Sequence, residues 1–217
     1  MIPRLATDCK GVDELLAGGI EQGTVTLVYG EAGSGKTSLA LQLSRVAIKT
    51  SSDSVVLFVD TEGLSLERME QIFGDVDQDR LLLICPSSLS DLHQTLTKKL
   101  EQHDKISLIV VDTINAYVRL SYIKNKERSE RQFLEMTSIL QPLAEKGDFP
   151  VFLSAQVYEK DGEIGPYFGR SLIHLSKAII HLEKAKAPSL RHARLKKHRS
   201  LPEEGVYDFL LTGNGLE

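Results

Sequence analysis

The sequence predicts an α/β fold: a mostly parallel twisted sheet with helices on both faces and a short antiparallel C-terminal extension. Three observations predict it. Short, wholly apolar, β-branched runs alternate with stretches of helical periodicity, the pattern of parallel strands buried on both faces. A glycine-rich turn joins the first strong strand to the first long helix. Past Gln156 the apolar runs shorten and are separated by segments rich in Gly, Pro and charge. The length of 217 residues fits one domain with a full core better than two small ones, so residues 1–217 are read as a single core domain.

Residues 25–29, Val-Thr-Leu-Val-Tyr, read as a strand, and residues 36–49 as a helix with Leu39, Leu43 and Val46 on one face. Residues 55–59 are a second strand, 66–73 a helix, and 81–84 a strand again. A helix over 89–102 is capped by Ser88 or Ser90, because a hydroxyl there accepts from an otherwise unpaired first-turn N–H. Residues 108–111 form a wholly apolar strand, 130–146 a long helix, and 150–155 the next strand. The stretch 159–170 reads as a loop. Three shorter strands follow near 178–182, 191–195 and 206–211.

Composition narrows the function classes. A hydrophobic fraction of 41% and a charged fraction of 26% are ordinary for a soluble globular protein. The net charge of -4 offers no global attraction to nucleic acid or acidic membranes, so any basic binding surface must be local. The start, Met1-Ile2-Pro3-Arg4, lacks the apolar run of a signal peptide, and no stretch is long enough to span a bilayer. Cys9 and Cys85 are far apart and lack metal-ligand spacing, so both read as reduced thiols of a cytoplasmic protein.

Chemistry enters at Gly30-Glu31-Ala32-Gly33-Ser34-Gly35-Lys36-Thr37, which matches G-x-x-x-x-G-K-[ST]. Glycines there let backbone N–H groups turn inward around an anion, and the following helix aims its positive dipole end at the same point. With glycine at about 7% of residues, a chance match in a chain this long is on the order of 1%. Lys36 would reach the β- and γ-phosphates of ATP, the Thr37 hydroxyl would ligate Mg²⁺ (Mg2+), and Ser38 follows in the same turn.

Asp112 closes the apolar run Leu108-Ile109-Val110-Val111 and, beside such a loop, is a candidate to hold a Mg²⁺-bound water. Glu62, just past the second strand in Asp60-Thr61-Glu62-Gly63, is placed to orient water for in-line attack on the γ-phosphorus. Gln156, at the end of the 150–155 strand, is a candidate γ-phosphate sensor. Glu62, Lys36 and Gln156 are the candidate catalytic residues, and Thr37 and Asp112 the candidate metal ligands.

In this order the motifs resemble the RecA/RadA recombinase family over nearly the whole chain. The resemblance runs through Gly11-Val12-Asp13-Glu14-Leu15-Leu16-Ala17-Gly18-Gly19-Ile20, the phosphate loop, Asp60-Thr61-Glu62-Gly63 and Ser129-Glu130-Arg131-Gln132. It continues in Ala155-Gln156-Val157 and Ser200-Leu201-Pro202-Glu203. The first motif also occurs in KaiC-type ATPases of the same RecA-like P-loop NTPase fold. Those usually carry paired glutamates after the second strand, where this chain has Asp-Thr-Glu-Gly. The resemblance implies that Glu62 is the catalytic glutamate and Gln156 the nucleotide-sensing glutamine. It also implies that Arg68, with one residue fewer before it, is the arginine that stacks on adenine. The chain starts where the family's ATPase core starts, so no N-terminal helix-hairpin-helix domain and no Phe-x-x-Ala filament linker is expected. The resemblance then implies a short archaeal accessory recombinase, a weak Mg²⁺-dependent ATPase that binds single-stranded or branched DNA without strand exchange. Its implied partners are RadA recombinase and a Holliday-junction resolvase.

Two local basic regions are candidates for DNA. The first holds Arg119, Lys124, Lys126, Arg128 and Arg131, in what resembles the family's first DNA-binding loop, with Tyr117 and Tyr122 interleaved for stacking. Glu127 and Glu130 offset part of its charge, so a solvated loop is the alternative. The second spans residues 184–199 and ends in Lys196-Lys197-His198-Arg199, dense enough to neutralise several phosphates. Lys197 and Arg199 also resemble lysines that reach a neighbouring protomer's γ-phosphate in bacterial RecA filaments, and a plain solvated face is the third reading. Residues 157–170 stand where the family's second DNA loop lies. Tyr158, Tyr167, Phe168 and Arg170 are candidate contacts there, and His174 matches a family histidine. Two other function classes stay open: an ATP-switched binding module that does not hydrolyse, and a KaiC-like regulatory ATPase.

Overall fold

The computed structural model describes residues 3–103, 105–118, 125–160, 162–203 and 205–217. β1 (Arg4–Leu5) pairs antiparallel with β2 (Ile20–Glu21), and the short helix α1 (Lys10–Leu15) lies between them in sequence. Next come β3 (Val25–Gly30), α2 (Lys36–Thr50), β4 (Val55–Asp60), α3 (Leu66–Phe73), β5 (Leu81–Ile84) and α4 (Leu89–Gln102). β6 (Ile106–Asp112), α5 (Lys126–Ser138), α6 (Leu140–Gly147) and β7 (Val151–Ala155) follow. The C-terminal part holds β8 (Val157–Lys160), β9 (Glu163–Pro166), α7 (Gly169–Leu175), β10 (Ala178–Lys184), β11 (Leu190–His198), β12 (Val206–Thr212) and β13 (Gly215–Leu216).

The main sheet has nine strands in the order β13-β12-β11-β10-β3-β7-β6-β4-β5. Pairings from β10 through β3 to β5 are parallel, and those from β10 out to β13 are antiparallel. This is the expected architecture, with β3 between the strand that opens the extension and the strand that ends in Ala155. Functional groups collect at the C-terminal ends of the parallel strands, where strand-to-helix loops converge.

Two-residue periodicity divides the apolar residues between two cores. Val56, Phe58, Val110 and Phe152 pack with α1, α2 and α3 on one face. Leu57, Val59, Val111 and Leu153 pack with α4, α5, α6 and α7 on the other. Each fully buried side chain of this kind contributes about 1.5–3 kcal/mol. Strands with no polar face are stable only where both faces are covered. Ser88, not Ser90, caps α4, accepting from the Asp91 N–H.

Two expectations need correction. The single helix over 130–146 is instead α5 and α6, separated at Ile139. The cause is Pro142, which lacks an N–H and whose ring would meet the Ser138 carbonyl in an unbroken helix. In the first turn of a new helix the same proline is tolerated. The second correction is the loop at 159–170, which overlaps the β8–β9 hairpin and the start of α7. Asp161-Gly162 between two short strands is a hairpin-turn signal, and Gly162 has the positive φ of 81° that such a turn uses. Both cysteines are free, Cys9 buried and Cys85 exposed. Among the described residues no helix is long and apolar enough to cross a membrane.

Candidate nucleotide site and basic surfaces

β3 carries the chain to the sheet's C-terminal edge, where residues 30–35 turn into α2. Gly30 sits so close to β10 that a Cβ would stand 2.3 Å from the Leu182 carbonyl oxygen and 2.6 Å from Ser34 Oγ. Gly33 and Gly35 hold φ of 75° and 106°, a backbone that L side chains rarely adopt. Lys36, 7% exposed, donates from Nζ to the carbonyls of Gly30 (2.8 Å) and Glu31 (2.9 Å). Burial pushes its pKa down, while Asp112, Glu62 and Glu31 pull it up and Lys184 adds to the depression. Ser34 Oγ is buried with no hydrogen-bond partner among the described residues, an orphan that a bound phosphate oxygen would satisfy.

Asp112 stands at the end of β6 and accepts two hydroxyls. Thr37 Oγ1 donates to its Oδ2 at 2.6 Å, and Ser154 Oγ, from β7, donates to its Oδ1. Burial raises the Asp112 carboxyl pKa, against the hydrogen bonds from Ser154 and Thr37 and the charge of Lys36. Thr37 Oγ1 and the Asp112 carboxylate are hard oxygen donors side by side, the donor set that Mg²⁺ takes. The residues fit the ion.

Glu62 and Gln156 meet across the same edge, with Gln156 Nε2 donating to Glu62 Oε1. Each is held by a neighbour. Asp60 accepts from the N–H groups of Glu62 (3.1 Å), Gly63 (2.9 Å) and Leu64 (2.6 Å), an Asx-type turn that sets the loop bearing Glu62. Thr61 Oγ1 donates to Thr113 O and accepts from Thr113 N, both at 2.9 Å, tying that loop to the end of β6. Fully buried Asn115 grips the Gln156 backbone at both ends, donating to its O (3.0 Å) and accepting from its N (3.1 Å). Sequence reasoning did not single out Asp60, Asn115 or Ser154. The signals were an Asp three residues before a Gly at a strand end, and a Ser inside an apolar run.

Arg68 is half-buried beside the first turn of α2. Its Nε and Nη2 donate to Ser38 Oγ (3.2 and 3.0 Å), and Nη1 donates to Gly213 O (2.8 Å) and Gln71 Oε1 (3.2 Å). Ser38 is buried and serves as this anchor.

The two basic regions differ. In the first, Arg119, Tyr122 and Lys124 lie outside the described residues. Lys126, Arg128 and Arg131 are exposed along the start of α5, which Asn125 caps by accepting from Arg128 N at 3.0 Å. Arg170 and His174 are exposed on α7. Phe133 of α5 packs on Phe168, centroids 4.9 Å apart, so the two helices are neighbours. Tyr158 and Tyr167 pack together on the β8–β9 hairpin, also at 4.9 Å.

In the second region the expected continuous patch is divided. Lys196 is exposed. Lys197 donates to the carbonyls of Ile173 (2.6 Å) and Ser176 (2.9 Å), capping α7. The His198 side chain is 1% exposed, with Nε2 3.7 Å from Glu21 Oε1 and Nδ1 accepting from Ser200 N. Arg199 Nε bonds Glu21 Oε2 at 2.7 Å, while Arg4 Nη2 takes Oε1 at 3.0 Å. The register shift at Lys196 brings His198 onto the face that buries Ala193 and Leu195, and a side chain so covered presents nothing to a DNA phosphate. Further along the strand, Arg191 donates from Nε to Gly33 O at 3.1 Å, and Lys184 Nζ lies 3.7 Å from Glu31 Oε2. The far end of this basic strand therefore sits on the phosphate loop.

Comparison with known proteins agrees with this geometry. The Rad51 family profile matches residues 1–217. The DNA repair and recombination protein RadB of Methanococcoides burtonii is 38% identical over 223 residues, covering 98% of this chain and 97% of that protein. RadB of Methanoculleus marisnigri is also 38% identical, with the same coverage, and RadB of Archaeoglobus fulgidus 34%. A crystal structure of the RadB recombinase superposes with a TM-score of 0.80 at 30% identity, over 98% of each chain.

Proposed function

The chain belongs to the Rad51 family, and on that premise we propose that it is an ATP- and DNA-binding accessory of homologous recombination with slow, Mg²⁺-dependent ATPase activity. One observation carries the reading: a glycine loop with its lysine buried at the centre and two carboxylates, Asp112 and Glu62, at the ends of adjacent strands. Mg²⁺, when bound, would be held by Thr37 Oγ1 and by Asp112 directly or through water, and would neutralise phosphate charge. Lys36 leaves its two carbonyl acceptors for the phosphates, and loop N–H groups take the remaining oxygens. Glu62 orients the attacking water, and Gln156 leaves Glu62 for the γ-phosphate. Turnover is slow because the other cations near the phosphate loop, Arg191, Arg68 and Lys184, are already bonded to Gly33, to Ser38 and Gly213, or to Glu31.

DNA runs over Lys126, Arg128, Arg131 and Arg170, with Lys196 and the outer part of Arg199 as further contacts. We place RadA recombinase and a Holliday-junction resolvase as partners, with no strand exchange by this chain alone. The test is single-turnover hydrolysis. Lys36→Ala should abolish turnover and weaken ATP binding, whereas Glu62→Gln should keep binding and lose turnover. Undiminished turnover in Glu62→Gln removes Glu62 from the mechanism.

A second reading has a specific observation in its favour. The Gln156–Glu62 bond links the nucleotide edge to the strand that leads into β8, as an ATP-switched binding module requires. No hydrolysis at all, with DNA affinity still altered by ATP, would select it.

A further inference from the structure

Partly or fully buried arginines in this fold are mostly paired with acids. Arg4, Arg45, Arg80 and Arg194 each meet a carboxylate, as does exposed Arg199. Arg191, 7% exposed, meets none among the described residues. Its guanidinium donates to three carbonyl oxygens: Gly33 at 3.1 Å, Pro188 at 2.6 Å and Leu190 at 2.9 Å. The first belongs to the phosphate loop, the second to the β10–β11 turn and the third to the first residue of β11. A buried cation without a counter-ion is costly, and the negative charge absent from the fold is what a polyphosphate in the loop would supply.

The geometry has a second consequence. Across a trans peptide the C=O of one residue and the N–H of the next point to opposite sides. Drawing the Gly33 carbonyl outward onto Arg191 therefore turns the Ser34 N–H to the loop's inner side, where it rests on Glu31 O at 3.2 Å. Directly across the strand pair from Arg191 is Lys184, and a Cβ on Gly33 would stand 3.3 Å from its Cε. The hairpin end thus covers the outer surface of the loop with two cations.

We propose that Arg191 is a positioning residue of the phosphate loop, orienting its amides through the Gly33 carbonyl and presenting a positive charge to the bound polyphosphate. The inference rests on the ATP-binding reading above. It is tested by calorimetry with Mg²⁺ and either ATP or inorganic tripolyphosphate, a probe with no base or sugar. The wild-type chain is compared with Arg191→Gln and Arg191→Lys, each checked for fold by circular dichroism.

Arg191→Gln should bind both ligands about tenfold more weakly. Arg191→Lys, which keeps the charge and loses the fork, should fall between it and the wild type. A purely structural role predicts no such rescue by charge. Wild-type affinity in a folded Arg191→Gln overturns the proposal, as does equal weakening in both variants. If Arg191→Gln does not fold, a folded Arg191→Lys with several-fold weaker binding supports the proposal and one with wild-type affinity overturns it. If neither folds, Arg191 is structural and the proposal falls. A wild-type chain that binds neither ligand overturns the parent ATP reading instead.

Discussion

The start of α5 and the end of β11 carry similar runs of cations, yet the fold uses them in opposite ways. Around Glu21, which is 3% exposed, Arg4, His198 and Arg199 converge from β1 and β11, and Lys197 caps α7 nearby. Around Lys126, Arg128 and Arg131 the helix surface is exposed, and Arg170 is exposed on the neighbouring α7. On a strand, neighbouring residues turn to opposite faces of the sheet, so Lys197 is drawn onto the α7 carbonyls on one side while His198 meets Glu21 on the other. On the solvent side of a helix start, Arg128 and Arg131 stand three apart and stay outside together. Local charge density alone therefore does not identify a nucleic-acid surface.

The largest expected effect breaks the β11 side of the comparison. Glu21→Gln should cost about 3 kcal/mol of stability, because Arg4 and Arg199 lose the counter-charge of a buried carboxylate, read as a lower denaturation midpoint. A loss below about 1 kcal/mol would mean that solvent already screens this cluster, and the contrast would weaken.

Next comes the α5 side. Replacing Arg128, Arg131 and Arg170 together with alanine should leave stability within about 0.5 kcal/mol. If each contacts one phosphate of single-stranded DNA, the dependence of log affinity on log salt should flatten by about 2. An unchanged slope would take DNA off this face.

Lys197→Met should cost about 1–2 kcal/mol through the two α7 carbonyls and leave DNA affinity as it was. Reduced DNA affinity at wild-type stability would put Lys197 back among the contacts.

The smallest effect is on pH. Burial, together with Arg4 and Arg199, depresses the His198 pKa against the pull of Glu21, and burial likewise depresses that of His181. Depressed folded values mean that the unfolded chain takes up protons first. Stability is then whole above the ordinary histidine range near about 6.5 and falls as pH drops through the folded values. His198→Asn should flatten part of that decline in denaturation curves taken at successive pH. An identical decline would assign it to His181 and the carboxylates.

Much of the fold was legible because its strongest signals are local. Apolar runs such as Leu108-Ile109-Val110-Val111 can only be strands covered on both faces, and Ser65 and Ser88 cap helices within one turn. The β8–β9 hairpin and the break at Ile139 were also local, in Asp161-Gly162 and Pro142, but polar surroundings and continued helical periodicity masked them.

The sequence by itself determined the phosphate loop, since glycine spacing and the adjoining strand and helix are fixed along one short stretch of chain. It also placed Glu62, Asp112 and Gln156 at strand ends. Only the tertiary structure decided what holds them: Thr113 against the Glu62 loop, Asn115 around Gln156, Ser154 on Asp112, and Arg191 on the back of the loop. Those partners lie up to 158 positions apart, and no local period records them. Strand order brings them together, and burial then makes each unmade hydrogen bond too costly to leave open.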